Sequence, residues 1–168
     1  MDIKEGDILL VHTKKGFVPK GIRFFTKCYY NHAAIVVEAM GELCVLEAVE
    51  RGLMITKTLK DYVKESTECH DFISLRLKDP VDIDLVNDRL KDIIGSPYDY
   101  KSLLVSQLIK QISKKDKWHG KTKGKASKNI YCSEACAYAY PSVFPEWWKI
   151  APSDIYDSDA FNMVYKNH

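Results

Sequence analysis

The stretch HAAIVVEAMGELCVLEAVE, residues 32–50, decides the fold. Its two runs, 32–39 and 43–50, are rich in β-branched and aliphatic residues, and the link between them, 40–42, contains a glycine. That pattern predicts a β-hairpin, because a glycine supplies the backbone freedom a tight reversal needs. Working outward, GDILLVH (6–12) predicts a strand before the hairpin and RGLMITKT (51–58) a short return strand after it. Between the first strand and the hairpin, residues 15–30 are punctuated by Gly16, Pro19 and Gly21, which predicts a loop with one turn of helix. Thr58 is placed to cap a brief helix over 59–66, and HDFISLRL (70–77) alternates as a half-buried strand does until Asp79 and Pro80 stop it.

The second half of the chain changes period. Ile83, Val86, Leu90 and Ile93 or Ile94 recur at helical spacing, with Asp82 at the cap position and Gly95 at the end. A second helix is expected over 100–113. From Lys114 to Lys128 the chain carries seven lysines and two glycines with almost no aliphatic residues, which predicts a flexible loop. Residues 131–144, YCSEACAYAYPSVF, then resume a helix with a small-residue face that Pro141 limits, and the aromatic tail 146–165 is expected to wrap back on the core. No internal repeat is visible. Strands with small helices, followed by helices and a loop, make an α+β arrangement.

Totals narrow the function classes. With 168 residues, 46% hydrophobic and 29% charged, the chain fits one soluble domain. Lys plus Arg number 25 against 23 Asp plus Glu, so no global charge argues for nucleic acid or a membrane surface. The first sixteen residues hold an apolar run of only four between charges, too short for a signal peptide or a membrane span. A cytoplasmic location is the expectation, with an exported precursor already stripped of its leader as the alternative. Cys28, Cys44, Cys69, Cys132 and Cys136 are odd in number and unevenly spaced, which favours reduced thiols over a disulfide framework and offers no zinc-binding pattern.

One of these thiols stands in a special place. Cys132 falls at the head of the predicted helix 131–144, where unpaired backbone N–H groups and the helix dipole favour a thiolate and where its own amide can face an oxyanion. Cys136, one turn further in, gains neither benefit. A cysteine nucleophile needs a base, and the base needs an orienting group. His32 opens the first strand of the hairpin, followed by Ala33 and Ala34, which are small enough for a helix end to approach. Folding the hairpin back brings Glu47 to the level of His32 or a residue or two past it, and an acid within CVLEAV is costly to bury without a partner. Against this stand the ordinary readings: an inert packed cysteine, a histidine satisfied by a carbonyl, and a solvent-facing glutamate. The other histidines, His12, His70, His119 and His168, are expected on the surface or in loops.

The segments GDILL, NHAAIVV, VLEAV, IGSPYDY and IYCSEAC occur in an order that resembles the circularly permuted papain-like hydrolases of the NlpC type, the YiiX-like group, which are related to lecithin:retinol acyltransferases. The resemblance covers most of the chain and implies one domain over 1–168, with a small antiparallel sheet packed against helices and the nucleophile at a helix N-terminus. It maps Cys132 to the nucleophile, His32 to the base and Glu47 to the orienting acid. Tyr98, the tyrosine of a glycine-x-proline-tyrosine motif, is expected at the active site, and Tyr131 beside the cysteine is taken as a second substrate contact. Many relatives carry glycine where this chain has Ala34, and the lysine-rich stretch looks like an elaboration.

The implied activity is an amidase or peptidase acting on a small peptide-like substrate, cell-wall-derived in typical members, through a thioester and without metal or organic cofactor. Two alternatives remain at this stage: hydrolysis or transfer of a lipid or ester acyl group, and a non-catalytic binding module that uses the lysine-rich loop. No nucleic-acid partner is expected.

Overall fold

The two apolar runs of the hairpin are buried along most of their length. The computed structural model describes residues 2–14, 28–99 and 129–167. In it β2 (His32–Ala39) and β3 (Glu42–Val49) pair antiparallel, with Ala34 opposite Glu47 and Ala39 opposite Glu42. The turn between them holds Met40 at φ 55° and Gly41 at φ 79°, so both central residues are left-handed, as a two-residue hairpin turn with matching twist requires. β1 (Ile8–Thr13) lies on the other side of β2, and β4 (Gly52–Thr58) extends the sheet beyond β3.

Thr58 caps α1 (Leu59–Cys69) by accepting the Asp61 N–H at 3.2 Å, and the helix runs three residues further than the expected 59–66. β5 (His70–Leu77) follows directly and pairs with β1. Asp82 caps α2 (Ile83–Ile93) through the N–H groups of Asp84 and Leu85. α3 (Cys132–Ala139) and α4 (Pro152–Tyr156) come after, with a single 3-10 turn at Trp147–Lys149 between them. The tail does return to the core, but as a strand that the sequence reading lacks: β6 (Phe161–Lys166) pairs with β5 and completes a six-stranded sheet in the order β4-β3-β2-β1-β5-β6. The helix expected over 100–113 and the lysine-rich loop 114–128 lie outside the described residues, as does most of the loop 15–30.

The sheet is buried on both faces. Ile8, Leu10, Ala33, Ile35, Leu46 and Ala48 pack with α2 and α3 on one side. Leu9, Val11, Ala34, Val36, Val45 and Phe72 pack with Leu59 and Tyr62 of α1 on the other. Buried strands are not normally charged, yet Asp7, at the entry to β1, is 1% exposed. Its carboxylate takes a two-pronged bond from Arg76, at 2.8 Å on each arm, and accepts the Lys4 N–H at 2.8 Å, which satisfies the buried charge. Gly52, at φ 114°, lets the chain after α2 approach: a Cβ there would stand 2.7 Å from the Ser96 carbonyl, which accepts the Leu53 N–H. That contact fixes the segment leading to Tyr98.

Candidate active site

The head of α3 meets the start of β2. Ala33 faces α3 while His32 and Ala34 belong to the α1 face, so the helix end reaches the strand over an alanine rather than a larger side chain. The Val36 N–H bonds to the Asp7 carbonyl of the β1 side, so by alternation the Ala33 N–H points towards β3. The β2–β3 ladder ends at the pair Ala34 and Glu47, one residue short of Ala33. Into that gap comes the Cys132 sulfur, near enough to the His32 ring and to the backbone N–H groups of Ala33 and Ser133 for each of them to favour its ionised form.

His32 is held from its other side. Its Nε2 lies 2.7 Å from Glu47 Oε2, which leaves Nδ1 for the thiol. The two residues are not direct cross-strand partners. Glu47 stands opposite Ala34 and reaches His32 along the diagonal, two residues away on the same face. Thr56 Oγ1 donates to Glu47 Oε1 at 2.6 Å, so both carboxylate oxygens are engaged.

The three groups shift one another's charge states. Burial pushes the Cys132 thiol up, but the His32 ring beside it and the two backbone N–H groups outweigh burial and bring it below the usual thiol value. Burial alone would lower His32; the adjacent Cys132 sulfur and Glu47 carboxylate raise it well above the ordinary imidazole range. Burial raises Glu47, and hydrogen bonds from His32 and Thr56 more than offset that, so it stays ionised at neutral pH. Each shift runs in the sense that favours a thiolate–imidazolium pair backed by a carboxylate. Cys136, buried without such partners, is pushed the other way, well above a normal thiol.

A cleft of about 460 Å³ opens on the α1 side of this group, lined among others by His32, Glu47, Lys57, Tyr62, His70 and Tyr98. Tyr98 joins the strand-like segment before α3 through a bridge to Ile130, which sets its position at the cleft edge. Tyr131, the residue before the thiol, is 2% exposed and is not among the cleft-lining residues; it packs against Tyr98 instead. Glu134 sits fully buried in the first turn of α3 and accepts the Tyr131 N–H at 3.3 Å, while Ser133 Oγ donates to the Ile150 carbonyl at 2.8 Å. The helix head is thus pinned from both directions. His70 is a correction to the sequence reading. It is not a surface or loop residue but 9% exposed in β5, against the Tyr62 ring, in the cleft wall.

The profile described as "Permuted papain-like amidase enzyme, YaeF/YiiX, C92 family" matches residues 2–164. The chain belongs to this family of permuted papain-like amidases. It is a cysteine hydrolase with an α+β, circularly permuted papain-like fold, as the order of its segments implied. Among solved structures, the metalloprotein yiiX from Escherichia coli O157:H7 superposes with a TM-score of 0.70 at 17% identity, covering 99% of each chain. At that identity the likeness concerns the fold. No curated protein matches the chain.

The sequence reading missed two elements of the site. One is Thr56, an unremarkable residue within a strand; the other is the Ala33 N–H, which carries no side-chain signal at all. Only the end of the β2–β3 ladder, a property of pairing, makes that amide available.

Proposed function

We propose that Cys132, His32 and Glu47 form the triad of a thiol amidase that cleaves a small peptide-like substrate through a thioester acyl-enzyme. The observation that supports it best is His32, bonded through Nε2 to Glu47 at 2.7 Å and lying beside the Cys132 sulfur, with each of the two favouring the charged form of the other. In the first half-reaction the Cys132 thiolate attacks the substrate carbonyl carbon and forms a C–S bond, leaving the negative charge on oxygen. The Cys132 N–H, in the first turn of α3 where backbone amides lack intrahelical acceptors, faces that charge. Collapse breaks the C–N bond as His32 gives its Nδ1 proton to the departing amine. In the second half a water gives a proton to neutral His32 and its oxygen attacks the thioester. The acid leaves and the thiolate–imidazolium pair is restored. Glu47 holds the imidazole in position throughout and stabilises its charged form.

The Escherichia coli neighbour is described as a metalloprotein. Among the described residues, no three His, Cys, Asp or Glu side chains gather as a metal centre requires. Among the described residues the donor set does not fit a metal.

Tyr98 borders the substrate's path in this reading, and the apolar wall of Val11, Ala48 and Val49 with Tyr62 suits a short peptide-like acyl portion. Among the described residues no helix is long and apolar enough to cross a membrane. p-Nitrophenyl acetate tests the acyl-enzyme directly. Mass spectrometry of the quenched protein should find the acetyl group on Cys132, and none in Cys132→Ala. Acetylation confined to exposed Cys69 or to lysines would count against the reading. A matched acyl anilide and ester then decide between amide and ester chemistry.

A further inference from the structure

The β3–β4 pairing changes register. Val45 stands opposite Lys57, but Leu46 stands opposite Ile55 and Glu47 opposite Met54, so β4 carries one extra residue, Thr56, at this point. Cross-strand partners share a face. Glu47 and Val45 lie on the α1 face, so Met54 and Lys57 lie there too, three positions apart where strict alternation would separate them. The insertion is a β-bulge. Counting back from Lys57 by simple alternation, Thr56 would point to the opposite face, away from Glu47. The bulge turns it round, and its hydroxyl donates to Glu47 Oε1 at 2.6 Å while Oε2 holds His32 at 2.7 Å.

We infer that Thr56 is a positioning residue for the hydrolase, delivered by this bulge, that locks the Glu47 carboxylate in the one rotation from which it can hold His32. The inference rests on the triad reading above and extends it by one residue. A carboxylate free to rotate about its own axis would present either oxygen, or neither, to the ring. With Oε1 tied, one oxygen and one direction remain. The bond also favours ionised Glu47, in the same sense as His32 and Lys57. Among the described residues, Tyr62 of α1, His70 of β5 and Cys136 of α3 also sense this carboxylate. Tyr62 is pushed well above the ordinary phenol value, chiefly by burial, and His70 falls below the ordinary imidazole value, also through burial. Neither adds a charge that would replace the hydroxyl at neutral pH.

The test is the pH profile of Cys132 alkylation by iodoacetamide in wild type, Thr56→Val and Thr56→Ser. Valine keeps the shape and the strand preference while removing the donor; serine keeps the donor. Loss of a hydrogen bond to a charged acceptor should slow alkylation about tenfold at mildly acidic pH in Thr56→Val, with the acid limb moved towards neutrality. Thr56→Ser should return to within about twofold of wild type, since the donor is retained. A merely structural Thr56 would lower the melting temperature and leave the limb in place. A Thr56→Val profile that superposes on wild type, or a Thr56→Ser profile that follows Thr56→Val, overturns the inference. Should Thr56→Val fail to fold by circular dichroism, Thr56→Ser against Thr56→Ala repeats the comparison with the same expected and contrary results. If wild-type Cys132 itself titrates like an ordinary thiol, the triad reading falls and this inference with it; if wild type is acid-shifted and Thr56→Val matches it, only the role of Thr56 falls.

Discussion

Cys132 is 1% exposed, whereas Cys69 is exposed and Cys28 partly so. Accessibility and activation thus point to different thiols, and the chemistry of the site depends on which one wins. The residues of the proposed triad stand out in the sequence one by one, because each breaks a local rule: a glutamate inside CVLEAV, a histidine opening an apolar strand, a thiol at a helix head. Thr56 breaks no such rule, since threonine is an ordinary strand residue. His70 was misread for the related reason that burial in β5 depends on α1 folding over it. At this scale Glu47→Gln is the informative substitution. It keeps the shape but leaves the Cys132 sulfur alone to raise His32, without the Glu47 charge that adds to it, and a wrongly turned amide points an N–H at the ring. Acetylation of Cys132 by p-nitrophenyl acetate should slow by about a hundredfold or more, measured by release of nitrophenolate under single-turnover conditions. Glu47 is held below its ordinary value in the folded chain. Its stabilising effect is therefore complete above the ordinary carboxylate pKa and is lost as pH falls through the depressed one, a loss that the glutamine variant should not show.

Element boundaries were read best where the signal is local. β2 and β5 coincide with the expected 32–39 and 70–77, because a β-branched run before a glycine-containing turn defines the first, and alternation ended by Asp79 and Pro80 the second, without reference to the rest of the chain. β6 was missed because its partner, β5, lies more than eighty positions earlier, and FNMVYK alternates weakly: Met163 is half-exposed at the sheet edge. The bulge in β4 is equally a matter of pairing, since no residue type marks it. The hairpin turn offers a test of local strain. Met40 adopts φ 55° with its side chain wholly in solvent, so it carries the cost of a left-handed residue and gains no packing in return. Met40→Asn should stabilise the protein by about 0.5–1 kcal/mol, because asparagine accepts this conformation readily. A rise in melting temperature of about 2–4 °C by calorimetry is the expected result.

At the scale of the whole molecule, the site exists only because the two faces of one sheet meet at the end of β2. His32 and Glu47 belong to the α1 face, and α3 brings Cys132 from the other, one hundred positions later in the chain. The sequence order of the segments implied this permuted arrangement; the gap in the β2–β3 ladder that admits the sulfur was beyond reach, because it depends on where pairing stops. Distant parts of the sheet are tied by Arg76 of β5, which bonds Asp7 before β1 and Asp2 near the N-terminus. Arg76→Met would leave the Asp7 carboxylate buried with only the Lys4 N–H and a long 3.4 Å bond from Ser74. A loss of about 3 kcal/mol in urea-unfolding free energy is expected. The alkylation rate of Cys132 should be unchanged while the protein remains folded, since Arg76 does not touch the cleft.

The most direct test of the account is the order in which the five cysteines react with iodoacetamide at about pH 6, read by mass spectrometry of the alkylated peptides. An ordinary thiol is less than about 1% thiolate there, so exposure alone favours Cys69 and only slowly. An imidazolium-paired thiolate at the head of α3 predicts Cys132 first, although it is nearly buried, with His32→Ala slowing its labelling at least about tenfold. If Cys69 reacts first, or if Cys132 reacts at the same rate with and without the His32 imidazole, the thiolate–imidazolium pair is contradicted.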